Sequence, residues 1–287
     1  MRTPLLTLAL AATALSLAAC STEGEMRAVD PAAGGAPSSA TSSSPEPAGE
    51  APVPVPDGPV RTTGLVTVLD PGTGPELCLG AVAESYPPQC GGPAVEGFEW
   101  GDVGVEKAAG VTWGSYAVTG TFDGTTFTAT DAIPAALYDT MAEPQAGGLD
   151  PACDDATTTD PDKATPEDMD ATLTAASALP TYAAAWLSDG TISVAVTGDA
   201  EAAEAQLRTT WGGPLCVTTV ERTDADLNTI NQELQAALGD RLLTSGSTAP
   251  DSLDAQVVFD DGSIQDWADA TYGAGLVRIT SALVPAS

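Results

Sequence analysis

Residues 193–220, SVAVTGDAEAAEAQLRTTWGGPLCVTTV, align with residues 254–281, DAQVVFDDGSIQDWADATYGAGLVRITS, at an offset of 61 and without a gap. Val196 matches Val257, Thr210 matches Thr271, Trp211-Gly212 matches Tyr272-Gly273, and Leu215 matches Leu276. Each unit reads strand, short helix, aromatic-Gly turn, strand, with the glycine placed where a helix ends. Ser263 and Asp266 have the spacing of a capping box, with Asp in place of Glu. Between the units, Thr223 and Asp226 open a further helix whose Leu227, Ile230, Leu234 and Leu238 form one apolar stripe. With YAAAWLS (182–188) as a lead strand, residues 172–287 are expected to form an α+β domain with two strand-helix-strand repeats. Its helices would lie on one face of a mixed or antiparallel sheet.

The preceding segment, 60–140, has a different period. GLVTVLD (64–70), PELCLGA (75–81), VTWGSYAVTGTF (111–122) and TTFTATDA (125–132) are short runs with partial alternation. Asp123-Gly124 between the last two is a strong hairpin signal. Tyr116, Val118 and Phe122 fall on one face of the third run. The expectation is a small all-β domain, an OB-like barrel of five or six strands.

The chain begins with one charge, Arg2, and an apolar run from Leu5 to Ala19. A run of ~15 residues is short for a membrane span and suits a signal-peptide core. Leu17-Ala18-Ala19-Cys20 then resembles a lipobox, so residues 1–19 are expected to be a lipoprotein signal peptide and Cys20 the lipidated first residue. Acylation there would hold the chain to the membrane, each buried CH₂ contributing ~0.8 kcal/mol. Residues 21–57 contain seven prolines and no aromatic residue. Such a composition cannot bury enough apolar area to offset chain entropy, so 20–59 are expected to be a disordered Pro/Ser/Ala-rich tether. As a flexible coil it would span about 35 Å.

Four cysteines remain. Cys78 and Cys90 enclose eleven residues that include Pro87-Pro88, a spacing that in an exported chain reads as a disulfide-closed loop rather than a redox or zinc motif. Cys153 and Cys216 are then left for each other. The competing arrangement joins Cys78 or Cys90 to Cys216 and would tie the two domains together. Cys153 lies in an acidic connection, 141–171, where Asp150, Asp154, Asp155, Asp160, Asp162, Glu167, Asp168 and Asp170 surround one base, Lys163. Calcium prefers such oxygen ligands, but an EF-hand spacing is absent, and no metal site is assigned.

Composition excludes more than it identifies. The 287 residues include 9 basic and 40 acidic side chains, a formal charge of −31. That charge repels phosphate backbones, so no nucleic-acid partner is expected. The chain has no histidine, which removes Ser-His-Asp and Cys-His triads and histidine-based zinc sites. Lys107 and Lys163 are the only lysines, and neither sits in a Ser-x-x-Lys spacing. YGAGLV (272–277) lacks the third glycine of a dinucleotide fingerprint, and no cofactor is assigned. Carboxylates are the remaining catalytic chemistry, and a pair of them can hydrolyse glycosides.

The lipobox, GPELCLGAVAESYPPQCGGP (74–93), TWGSYAVTGTFDG (112–124) and GGPLCV (212–217) together resemble the uncharacterised secreted lipoproteins of high-GC Gram-positive actinobacteria. The resemblance implies an address at the extracellular face of the cell membrane and carries no catalytic residues. The function expected is a non-enzymatic cell-envelope lipoprotein that binds or scaffolds an envelope protein or polysaccharide. The rival expectation is an envelope hydrolase, acting on cell-wall glycan through an Asp/Glu pair.

Overall fold

The computed structural model describes residues 49–138 and 148–286. The expected signal peptide, Cys20 and the tether as far as residue 48 lie outside the described residues. The chain is α+β, with strands predominating and four α-helices among the described residues.

The first part of the chain supplies β1 (Val60–Thr62), β2 (Val66–Asp70), β3 (Glu76–Cys78), β4 (Ala94–Glu96), β5 (Val105–Ala108), β6 (Val111–Phe122) and β7 (Thr126–Pro134). β6 pairs with β2, β2 with β3, β3 with β4, β4 with β7, and β7 again with β6. These five pairings close a ring in which only β4 and β7 run parallel. β1 continues the edge of β6 that β2 occupies, and β5 lies along the other edge.

The β6–β7 hairpin turns at Asp123-Gly124, as its residues demand. Gly124 sits at φ +100°, and the Asp123 carboxylate accepts the Thr125 and Thr126 amides at 2.9 and 2.7 Å. Tyr116, Val118 and Phe122 are buried together with Val60, Val68, Leu77 and Phe127. The opposite face of β6 presents Trp113 to Leu69 and Cys78. There the Cys78–Cys90 disulfide (Cα–Cα 5.8 Å) closes its loop, and Tyr86 from that loop meets Trp113 edge-on at 5.3 Å.

The duplication is longer than the alignment suggests. The first unit is α1 (Pro166–Ser177), β8 (Tyr182–Ser188), β9 (Thr191–Val196), α2 (Ala200–Leu207) and β10 (Leu215–Thr219). The second is α3 (Asp224–Leu238), β11 (Leu242–Ala249), β12 (Ser252–Val257), α4 (Ser263–Tyr272) and β13 (Val277–Ser281). Each therefore runs helix, strand, strand, helix, strand. Both opening helices carry a reciprocal Thr/Asp capping box, Thr165–Asp168 and Thr223–Asp226. In each unit the first strand pairs antiparallel with the second, and the second pairs parallel with the third. The result is two three-stranded mixed sheets, not the single layer expected. Each sheet buries its helix-facing side. Ile192, Val194 and Val196 pack with Ala176, Ala203 and Leu207, while Leu253, Ala255 and Val257 pack with Leu227, Leu234 and Ile264.

Three local expectations change. First, Leu215 opens β10 opposite Ile192, whereas Val277, not Leu276, opens β13 opposite Leu253. The ungapped offset of 61 becomes 62 beyond the second helix, and Leu276 is buried in the turn before the strand. Second, Ser263 does not cap α4. Gly262 takes φ +103° at the cap, and the Asp260 and Asp261 carboxylates reach forward to the Ile264 and Ser263 amides. Third, the two aromatic-Gly turns need their glycines for different reasons. Gly273 is a helix C-cap at φ +109°, where L-residues are strained. Gly212 lies beyond the Arg208 cap of α2, and a Cβ on it would stand 2.0 Å from the Asp160 carbonyl oxygen. Gly212→Ala is therefore expected to cost about 1–3 kcal/mol and to detach the 159–163 backbone, which a urea melt and hydrogen exchange at the Asp160 amide will read.

The chain ends in β14 (Leu283–Pro285), which leaves the second unit and pairs with β1. Phe259, Ala282 and Leu283 join the core under β6 and β7, so the described residues belong to one compact unit. The boundary drawn between residues 140 and 172 is thus crossed by the last strand of the chain.

Candidate functional site

Two features of this architecture can present chemistry: a cleft beside the first sheet and a covered face on the sheet β8–β9–β10. The covered face is built from one transverse row. Register places Trp186, Ser193 and Cys216 side by side on β8, β9 and β10. The acidic connection crosses that row. The Trp186 Nε1–H donates to the Asp150 carbonyl at 2.8 Å, the Ala152 amide donates to Ser193 Oγ at 3.0 Å, and Cys153 is bonded to Cys216 (Cα–Cα 6.0 Å). Both disulfides therefore join the cysteines paired by spacing and parity, and the cross-domain arrangement does not occur. Cys78, Cys90, Cys153 and Cys216 are structural.

The cleft has a volume of about 750 Å³. Its walls come from three distant parts of the chain: the loop Leu79 to Ala81 after β3, with Gly91 to Pro93 and with Phe122, Gly124 and Thr125 at the β6–β7 hairpin; Asp240 to Leu243 with Val258-Phe259 from the second unit; and Val53-Pro54. The last belong to the expected tether. The final residues of that tether, 49–59, are described and positioned against the fold. The Trp267 Nε1–H donates to the Gly49 carbonyl at 2.8 Å, and Arg241 Nη1 donates to the carbonyls of Ala51 and Pro52. Ala51 is 5% exposed in the core of the second unit. Val55 reaches the hairpin tip, its Cγ2 3.4 Å from where a Gly124 Cβ would stand. Arg241 is itself fixed, donating from Nε to Leu238 and from Nη2 to Ala237 at the end of α3. The segment is thus a strap.

The strap escaped sequence reading because its composition is that of a solvated coil. A proline-rich stretch leaves its carbonyls free and holds a narrow backbone range, so a few fixed donors can order it. The one available signal was Arg241, a scarce cation directly after a helix that ends in Gly239.

The acids are dispersed. Asp240 is the one acid among the described residues lining the cleft, so the carboxyl pair required by a glycosidase is not assembled there. Among the described residues, the carboxyls that depart from their ordinary range move down. Hydrogen bonds from the Thr126 and Thr125 amides act on Asp123, the Thr223 hydroxyl acts on Asp226, and the Ser263 side chain acts on Asp261. A general acid needs the opposite shift. Among the described residues no three His, Cys, Asp or Glu side chains gather to hold a metal ion. No helix among them is long and apolar enough to cross a membrane.

No family model, curated protein or solved structure matches this chain.

Proposed function

We propose that this chain is a lipid-anchored binding module at the extracellular face of the cell membrane, held through acylated Cys20 and taking an envelope component in the strap-walled cleft. The observation that carries the reading is the cleft itself: a concavity of about 750 Å³ whose lining side chains are mainly apolar, with one acid among them. The lipobox residues and the resemblance to actinobacterial lipoproteins support the address. Two disulfides suit an oxidising compartment. We further read the ring β2–β3–β4–β7–β6 as an OB-like barrel, supported by its strand order and its single parallel pair. Here that barrel serves as a wall of the cleft, since no basic stripe lies along it.

The test is crosslinking in intact envelopes. The wild-type chain is expected to take up radiolabelled palmitate, sediment with membrane and crosslink reproducibly to one envelope component. Cys20→Ser is expected to lose the label and the sedimentation completely. A Cys20→Ser chain that still labels and sediments overturns the anchor. A wild-type chain that crosslinks to nothing above background overturns the binding role.

A further inference from the structure

We propose that the cleft takes the acyl chain of a lipid, and that residues 49–57 form the outer wall of this lipid site. The proposal rests on the binding-module reading and names its ligand. Four observations lead to it.

The first is the lining. Half-buried Leu243 and Val258 and the exposed Val53 present hydrocarbon to the interior, backed by the buried Leu79, Phe122 and Phe259, and the glycines Gly80, Gly91 and Gly92 add no polar side chain. Thr125, Asp240 and Arg241 are the polar side chains among the lining residues. The side chains of this lining offer few polar partners, so recognition of an apolar chain relies on them while the backbone supplies the polar share of the surface.

The second is the wall. Val53 is 67% exposed and Val55 44%, an unusual placement for two valines in a segment held by long-range hydrogen bonds. An apolar ligand in the cleft would cover the inner side of Val53 and remove that surface from water.

The third is the latch. The strap's hydrogen bonds at Gly49, Ala51 and Pro52 are all made by backbone carbonyls, beside the burial of Ala51 in the core, and proline at 52, 54 and 56 withholds the amide hydrogens that would otherwise pair with a neighbouring strand. It can bound the cleft without being drawn into the sheet beside it.

The fourth is where the chain leads. Forty-eight residues precede Gly49, and Val53 follows it by four positions. The chain's expected anchor at Cys20 is therefore 29 residues from Gly49 along the chain, and the wall of the cleft is the first part of the described fold that the anchored end reaches. Twenty-nine residues reach at most about 100 Å when fully extended, so the anchor reading keeps the cleft within that distance of the bilayer surface.

The experiment uses the full chain carrying Cys20→Ser, so that no acyl group of its own competes and failure of the anchor reading leaves the result standing. The probe is a monoacylglycerol with a diazirine on its acyl chain, kept below its micelle concentration, photolysed and mapped by peptide. Labels are expected in the peptides that contain Val53-Pro54, Leu79 to Ala81 and Leu242-Leu243, saturably. Val53→Asp places a charge in the wall at an exposed position. Gly91→Leu adds a side chain at a cleft residue whose Cβ would meet nothing within 4 Å. Each is expected to reduce saturable labelling about tenfold with an unchanged thermal midpoint. Labelling that is unaffected by both variants, or confined to residues 1–48, overturns the proposal. So does equal cleft labelling by a diazirine-bearing oligosaccharide.

Discussion

Replacing Cys153 and Cys216 together by Ala is expected to lower the unfolding free energy by about 4 kcal/mol, the loop-entropy value for a closure of this length. The bond spans 63 residues and encloses α1, β8, β9 and α2, so its loss enlarges the unfolded ensemble more than loss of the shorter Cys78–Cys90 loop, for which the same relation predicts about 3 kcal/mol. The native state loses something as well. Residues 150–155 hold three acids, and their attachment to the sheet depends on Trp186, Ser193 and the disulfide. Without the covalent member, two hydrogen bonds worth roughly 1 kcal/mol each must hold a self-repelling segment over the sheet. Urea denaturation gives the stability, and hydrogen exchange at the Ala152 amide shows whether the segment has lifted. A loss below about 1 kcal/mol together with a protected Ala152 amide would mean that the hydrogen bonds alone hold it.

Phe127→Ala is expected to cost about 3–5 kcal/mol. Phe127 is fully buried, stands opposite Phe122 in the β6–β7 ladder and touches the cluster that contains Val60, Leu77, Tyr116 and Leu283. This core joins the first sheet to the last strand of the chain, so a cavity there weakens the grip on β14 as well as the closure of the ring. Phe127→Leu keeps most of the volume and is expected to lose under about 1.5 kcal/mol. Equal losses in the two variants would show that ring shape, rather than volume, carries the stability. Coincident transitions followed by tryptophan fluorescence and by far-ultraviolet dichroism are expected, because the two halves share this core.

Much of the fold was legible because it rests on local rules. β6 covers the run VTWGSYAVTGTF and β8 the run YAAAWLS, both named from their pattern. The turn at Asp123-Gly124, the capping box at Thr223 and the stripe of α3 are likewise short-range consequences of side-chain chemistry. Cysteine parity went further, pairing residues 63 positions apart, because each thiol has few partners available to it.

Other features had no local signature. The duplication includes α1 and α3, whose sequences diverged while their caps and their place over the sheet persisted. Packing tolerates such drift as long as an apolar face is kept. The one-residue slip that puts Val277 rather than Leu276 opposite Leu253 is set by strand register, which a gapless alignment cannot see.

The candidate site divides in the same way. Sequence alone determined the acidic character, the missing histidine and the four structural cysteines, because these are counts and spacings. Only the tertiary structure decided that residues 49–57 are a wall and not free coil. Their order comes from Trp267 and Arg241, 218 and 190 positions away, acting on carbonyls that every residue possesses. A backbone carbonyl carries no residue identity, so no reading of composition or period could have found its partner before the chain was folded.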